Sequence, residues 1–266
     1  MLSDTLPVVM CRNEERFIER VLWPLWQVWP TVLVGDTGST DDTLPILRRL
    51  RDEGHVELFA YEQLSMKAVG QVRKWLAEAA RARGARYAFM VDADEIYSLA
   101  ALRHCYEEGV PDGTTLGFTA GMLIDEDPDG SFYELKPEVG LTGRTTIFLP
   151  EDSWHGEHPF ESMGAFEDGK YHHYFSVPAG YRFHHVHLHR LVRSSKDGEI
   201  PHRVGKRKQF SMMDKPGDWR GPAFDLDAWC AGDLATENTE NTEKTGTGTE
   251  LHELDELGKA EGGGDG

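Results

Sequence analysis

Three carboxylates stand within four residues at the end of an apolar run: Asp92, Asp94 and Glu95 follow Tyr87 to Val91 in the stretch YAFMVDADEIY. Carboxylates this close repel one another, and a hard divalent cation with oxygen ligands relieves the repulsion. The chemistry implied is a Mg²⁺ or Mn²⁺ site facing a phosphorylated ligand. The competing reading is a solvated acidic turn that caps the next helix. The run before the acids is short and β-rich, which suits a strand buried on both faces of a parallel sheet. The acids then fall at the carboxyl end of that strand, the edge at which open α/β sheets place their ligands.

The elements that must position this edge are legible upstream. Leu6 to Cys11 reads as a first strand and runs into Arg12, Asn13, Glu14 and Glu15, where Asn13 can cap a helix and the glutamates suit its first turn. Phe17, Ile18, Val21, Leu22 and Leu25 recur at helical spacing, and Pro24 leaves the last turn of that helix open. Thr31 to Gly35 is a second strand, followed by the loop DTGSTDDT and a helix through Leu44, Ile46, Leu47 and Leu50. Val56 to Ala60 is a third strand, and Val69, Val72, Leu76, Ala79 and Ala80 mark the helix that leads to Tyr87. Strand-then-helix repeats with short links predict a parallel sheet with right-handed crossovers. Beyond Asp94 the rhythm changes. Leu99 to Glu108 reads as a short helix, and Thr114 to Ile124, Ser131 to Leu135 and Thr145 to Leu149 read as strands between Asp, Pro and Gly turns.

The 266 residues, 39% of them hydrophobic, are enough for one large domain with a substantial core. The net charge is −18, of which the stretch from Asp233 to Gly266, with ten acids and two lysines, holds −8. An acidic body argues against non-specific binding to nucleic acid or anionic membranes, and an anionic substrate would need a local cation. Cys11, Cys105 and Cys230 show neither pairing nor zinc-ligand spacing, so a reducing, cytoplasmic setting is expected. No signal-peptide layout opens the chain, and no apolar run approaches the ~20 residues of a membrane span. The Thr, Glu, Asn and Gly bias after about Asp233 predicts a disordered acidic tail, with a fleeting helix or partner motif at Leu251, Leu254 and Leu257 as the alternative to a solvated one.

Taken together, VVMCRNEERFIERVL, VGDTGSTDDT and QVRKWLAEAARARGARYAFMVDADE resemble the nucleotide-sugar-binding half of family 2 glycosyltransferases with the GT-A fold. The likeness is strong over residues 5 to 97, weaker from Ser98 to Phe210 and absent beyond. It implies a Rossmann-like α/β sandwich with a mainly parallel central sheet and an irregular acceptor-side half. Residues 1–97 would form the nucleotide-sugar-binding half, 98–232 the acceptor and catalytic half, and 233–266 the disordered tail. The activity implied is metal-dependent, inverting hexosyl transfer from a nucleotide sugar to a hydroxyl. The acceptor would be a glycan, a protein, a lipid-linked saccharide or modified DNA. The alternative is a non-catalytic binding or scaffold protein that keeps the fold.

The same resemblance implies roles. Cys11, Arg12, Glu14 and Asp36 would contact the nucleotide, Asp36 as an acceptor for a base N–H or the ribose; the alternative for Asp36 is a helix-capping loop acid. Arg73 would meet the pyrophosphate, or lie exposed on its helix. Asp92 would face the ribose or metal beside Ala93, and Asp94 would bind the Mn²⁺ or Mg²⁺ that neutralises the departing diphosphate. Glu95 is expected to cap the next element. The segment WHGEHPFES loosely resembles the family's base region but departs from it at Pro159 and Phe160. It offers Glu161 or Glu157 as the base that deprotonates the acceptor, with Trp154 and Phe160 as a sugar platform or as core. In YRFHHVHLHRL, His185, His187 and His189 alternate along a strand, and His187 is the candidate late metal ligand, against a set of hydrogen-bonded strand histidines. The basic run from Arg190 to Lys208 would be a lid over the diphosphate or an exposed helix. A histidine-centred hydrolase would need further ligands at set spacings. A nucleotidyltransferase would carry a glycine-rich loop where RNEE stands.

Overall fold

Period-two alternation within the apolar runs decides how the central sheet is covered. In the computed structural model, Val9, Val34 and Val91 pack on one side with Ile18, Val21, Leu22 and Leu25, while Val8, Leu33 and Met90 pack on the other with Val72, Leu76 and Ala80. Each strand therefore needs apolar residues on both faces, which is why these runs are unbroken. The structure describes residues 5–62, 64, 66–108, 116–135, 142–148, 154–155, 162–163, 185–188, 191–199 and 220–232.

Four parallel strands form the core: β1 (Thr5–Cys11), β2 (Val32–Asp36), β3 (Val56–Ala60) and β4 (Tyr87–Asp92), in the order β3-β2-β1-β4. They are joined by α1 (Ile18–Trp26), α2 (Thr43–Asp52) and α3 (Met66–Ala82). The parallel α/β half agrees with the periodicity, and α1 continues two residues past Pro24. Asn13 is not the cap of α1, since that position belongs to Phe17, which makes no side-chain cap. Asn13 instead adopts a left-handed φ of 56° and serves the loops.

The second half extends the sheet by antiparallel pairing. Beyond β5 (Glu95–Tyr97) and α4 (Leu99–Glu108) come β6 (Leu116–Glu126), β7 (Phe132–Leu135) and β8 (Thr142–Phe148). A two-stranded antiparallel pair, β9 (Trp154–His155) and β10 (Ser162–Met163), stands apart from the main sheet. β11 (His185–His187), β12 (Arg220–Phe224) and α5 (Leu226–Ala231) complete the described elements. The sheet runs β12-β7-β6-β8-β4-β1-β2-β3, and β11 lies off this path, antiparallel to β5 and parallel to β6. Glu95 differs from expectation: it is buried in β5 because its strand pairs with β11 more than 80 residues away, a partner that local pattern does not disclose. Among the described residues no helix is long and apolar enough to cross a membrane. The tail from Asp233 lies outside the described residues.

Gly35 of β2 lies directly under Val72 and Leu76 of α3. A Cβ there would lie 2.8 Å from Val72 Cγ1 and 3.1 Å from Leu76 Cδ1. Gly35→Ala is therefore expected to destabilise the fold by about 1–3 kcal/mol through overpacking, read as a lower midpoint in urea unfolding.

Candidate functional site

Strand register brings the ends of β1, β2 and β4 to one level. Cys11 lies opposite Asp36, and Met10 opposite both Gly35 and Asp92. The Cys11 thiol is 3.7 Å from the Gly35 carbonyl and 3.8 Å from Asp36 Oδ2. Burial, with Asp36 and Glu14 nearby, pushes its pKa well above the usual 9.0, so it remains a protonated donor. Asp36 is fully buried, and its Oδ1 accepts the backbone N–H groups of Gly38 and Ser39, each at 3.0 Å. Its other oxygen accepts the Ser39 hydroxyl. The carboxylate thus shapes its own loop, as an aspartate does when backbone donors lie two and three residues ahead.

The blocks RNEE and DTGSTDDT are two faces of one structure. The Asn13 N–H donates to Ser39 Oγ (2.9 Å), and Asn13 Oδ1 accepts from Thr40 N–H (2.8 Å). The Glu14 N–H donates to the Thr43 hydroxyl (2.7 Å), the Glu15 N–H to Asp41 (3.3 Å) and the Asp42 N–H to Glu15 (2.9 Å). Side chains of one loop thereby satisfy the backbone of the other. Arg12 donates to the Leu64 carbonyl at 3.4 Å.

The acid cluster follows at the turn between β4 and β5, where Ala93 is buried. Arg73, reaching from α3, pairs with Asp92. Glu95 accepts the Asp92 N–H (3.4 Å) and the Tyr97 hydroxyl (3.5 Å), and its other oxygen is 3.9 Å from His185 Nε2. β11 delivers the second histidine: Asp94 Oδ2 is 3.3 Å from His187 Nε2, and the Leu188 N–H donates to the Asp94 carbonyl at 2.7 Å.

The same Asp94 oxygen lies 2.5 Å from Nη1 of Arg193, and that nitrogen is 3.2 Å from Glu14 Oε1. Only 8% of the Arg193 side chain is exposed. Burial pulls the guanidinium's pKa down, but Asp94, Glu14, Asp197 and Asp92 outweigh it and the net shift is upward. Residues 191–199 form a strap across the zipped loops. The Arg16 N–H donates to the Arg193 carbonyl (3.1 Å), the Ser194 hydroxyl to Asp41 (2.5 Å), the Ser195 N–H to Glu15 (2.6 Å) and the Thr40 hydroxyl to Glu199 (3.1 Å). The N–H groups of Ser195 and Asp42 hold the Glu15 carboxyl below its usual range.

Cys11, Glu14, Asp36, Arg73, Asp92, Ala93, Asp94 and His187 therefore gather at one sheet edge, with Arg12 in the loop that leaves it. Glu157 and Glu161 lie outside the described residues, as do Phe160 and His189. Arg193 belongs to the basic run read as a lid or an exposed helix; nothing in its spacing separates it from the other bases of that run, and here it is buried. As folded, the described residues of this edge do not offer a divalent cation a ligand set. No group of three or more His, Cys, Asp or Glu side chains among the described residues is arranged to hold one, and the Asp94 oxygen that the motif would offer has a guanidinium against it.

No protein-family model and no curated protein matches the sequence. Among solved structures, S. aureus TarS 1-349 overlaps 55% of this chain and 47% of its own at 20% identity and a TM-score of 0.36. The same fragment in complex with UDP-GlcNAc overlaps 55% and 45% at 18% identity and a TM-score of 0.34. A 4-diphosphocytidyl-2C-methyl-D-erythritol synthase overlaps 55% and 74% at 12% identity and a TM-score of 0.36. The chain spans about half the length of the TarS fragment it matches. The architecture is an α/β fold with a parallel central sheet and flanking helices.

Two expectations follow. Cys11 is shifted well above 9.0 and Cys230, also buried, is pushed up to about 12. Each thiol stays protonated in the fold while the unfolded chain ionises near pH 9. Their stabilising contribution is therefore full below pH 9 and is lost as pH rises above it, by up to about 1.4 kcal/mol per pH unit per thiol. Urea unfolding at pH 8 and pH 10, with and without Cys11→Ser, checks this. Separately, Arg193→Met should cost about 3–5 kcal/mol by leaving buried acids uncompensated. Adding Asp94→Asn should recover at least about 1 kcal/mol of that loss in a double-mutant cycle.

Proposed function

We propose that the chain is an inverting glycosyltransferase that moves a hexosyl group from a nucleotide-sugar donor to a hydroxyl acceptor. The observation that carries the reading is the shared level of the β1, β2 and β4 ends, with the guanidinium groups of Arg73 and Arg193 set against the acids of that edge. Carboxyl ends of parallel strands are where such sheets take their ligands. In a chain of net charge −18, these two arginines offset the acids that an anionic donor would otherwise meet at this edge.

In this reading the donor's nucleoside lies toward Cys11, Arg12 and Asp36, and its diphosphate toward Asp92, Asp94 and Arg73. The acceptor oxygen attacks the anomeric carbon opposite the leaving group. A new C–O bond forms as the bond to the diphosphate oxygen breaks, and the bonding pair departs with the nucleoside diphosphate. The hydroxyl proton passes to a carboxylate, Glu161 or Glu157. The charge growing on the diphosphate is met by fixed positive groups, the largest share of catalysis in such steps. The resemblance of the DADE motif would give that role to Mn²⁺ or Mg²⁺ on Asp92, Asp94 and His187, whereas the cations that stand against the two aspartates here are Arg73 and Arg193.

The test is calorimetric titration of the full chain with nucleoside diphosphates and nucleotide sugars, with and without Mn²⁺, for wild type and Asp94→Ala. One nucleotide is expected to bind wild type and to weaken by about tenfold or more in the variant. Absence of binding across the panel by folded protein would sink the proposal. Binding without transfer to any hydroxyl acceptor would favour the scaffold reading.

A further inference from the structure

A tethered cation already lies where an external one would have to enter. Arg193 Nη1 is 2.5 Å from Asp94 Oδ2 and 3.2 Å from Glu14 Oε1, and His187 Nε2 approaches the same Asp94 oxygen at 3.3 Å. The side chain is 8% exposed, and its Nε is buried without a hydrogen-bond partner among the described residues. The backbone around it is held by Arg16, and the next two residues are held by Asp41 and Glu15. A guanidinium cannot shed its proton. A divalent metal binding Asp94 would therefore bring a second positive charge against this permanent one and take one of its two ion-pair carboxylates from it, which is unfavourable.

We propose that Arg193 is the resident cation of this site. It takes the charge role at Asp94 that the acidic motif would otherwise give to a divalent metal, and its guanidinium meets the diphosphate of the donor, which binds without metal. The diphosphate part rests on the transferase reading; the cation part stands on the geometry around Asp94. A planar fork of N–H donors matches phosphate oxygens better than a point charge does. Asp92, 26% exposed, and Asp94, 13% exposed, mark the side of the cluster that faces solvent, and the guanidinium of Arg73 on Asp92 provides a second donor there. When the sugar–oxygen bond breaks, the pair of electrons remains on the diphosphate. Donors fixed before the reaction stabilise it without reorganisation.

The experiment uses the full chain after chelator treatment, as wild type, Arg193→Lys and Arg193→Met. Mn²⁺ uptake is measured alone by electron paramagnetic resonance, and a nucleoside diphosphate panel is titrated in chelator and then with Mn²⁺. Wild type should bind one nucleotide in chelator, with affinity changing less than about threefold on adding Mn²⁺. Arg193→Met should bind it at least about tenfold more weakly in chelator, and should take up Mn²⁺ at least about tenfold more tightly than wild type, because a neighbouring positive charge is gone. Arg193→Lys, which keeps the charge and loses the fork, should fall between them; it and the wild-type comparison suffice if Arg193→Met does not fold. Nucleotide binding by wild type only with Mn²⁺, or Mn²⁺ uptake by wild type equal to that of Arg193→Met, would overturn the proposal. No nucleotide bound by any form, with Mn²⁺ entering only when Arg193 is replaced, would overturn the transferase reading and support the cation assignment.

Discussion

A buried guanidinium has to be surrounded by carboxylates, because it keeps its charge at any pH the fold survives and loses its water on burial. At Arg193 those carboxylates come from far apart: Glu14 follows β1, and Asp94 lies in the turn after β4. Three segments are thereby tied at one point, and none can withdraw without exposing the others' charges to a low-dielectric interior. The rest of the site depends on this knot. His187 reaches Asp94 because β11 pairs with β5, and the chain that continues beyond β11 brings Arg193 back to Glu14.

The knot in turn requires the two loops beneath it to be rigid. Asn13, Glu14 and Glu15 do this by trading hydrogen bonds with Ser39 to Thr43, so the polar residues after β1 and β2 complete each other's backbone. Asp36 contributes from beneath, fully buried and spent on the N–H groups of its own loop. Its engagement explains how a carboxylate is tolerated at the end of an apolar strand: each oxygen has a donor. Acids at this edge therefore serve two ends. Asp36, Glu15 and Asp41 build the platform, whereas Asp92 and Asp94 face guanidinium groups near the surface.

Much of the first half was readable residue by residue. The strands from Leu6, Thr31, Val56 and Tyr87, and the helices between them, emerge from largely apolar runs of five or six residues and from 3.6-residue spacing, signals contained within a short window. Asp92 and Asp94 were legible as an edge because an apolar strand cannot continue through them. What stayed hidden depends on partners far along the chain. Glu95 looks like a cap from its neighbours and becomes a strand residue only because β11 arrives beside it. Arg193 looks like one more surface base in a basic run, and its burial follows from a return path of 179 positions to Glu14.

Local physics in the sequence thus set the parallel strands, their both-sided burial and the position of the acids at the carboxyl edge, since each rests on periodicity and on the cost of burying charge. The pairing of those acids was set by the folded chain. Which cation stands against Asp94 depends on three-dimensional closure of the strap, and Coulomb attraction at 2.5 Å has no signature in the order of residues.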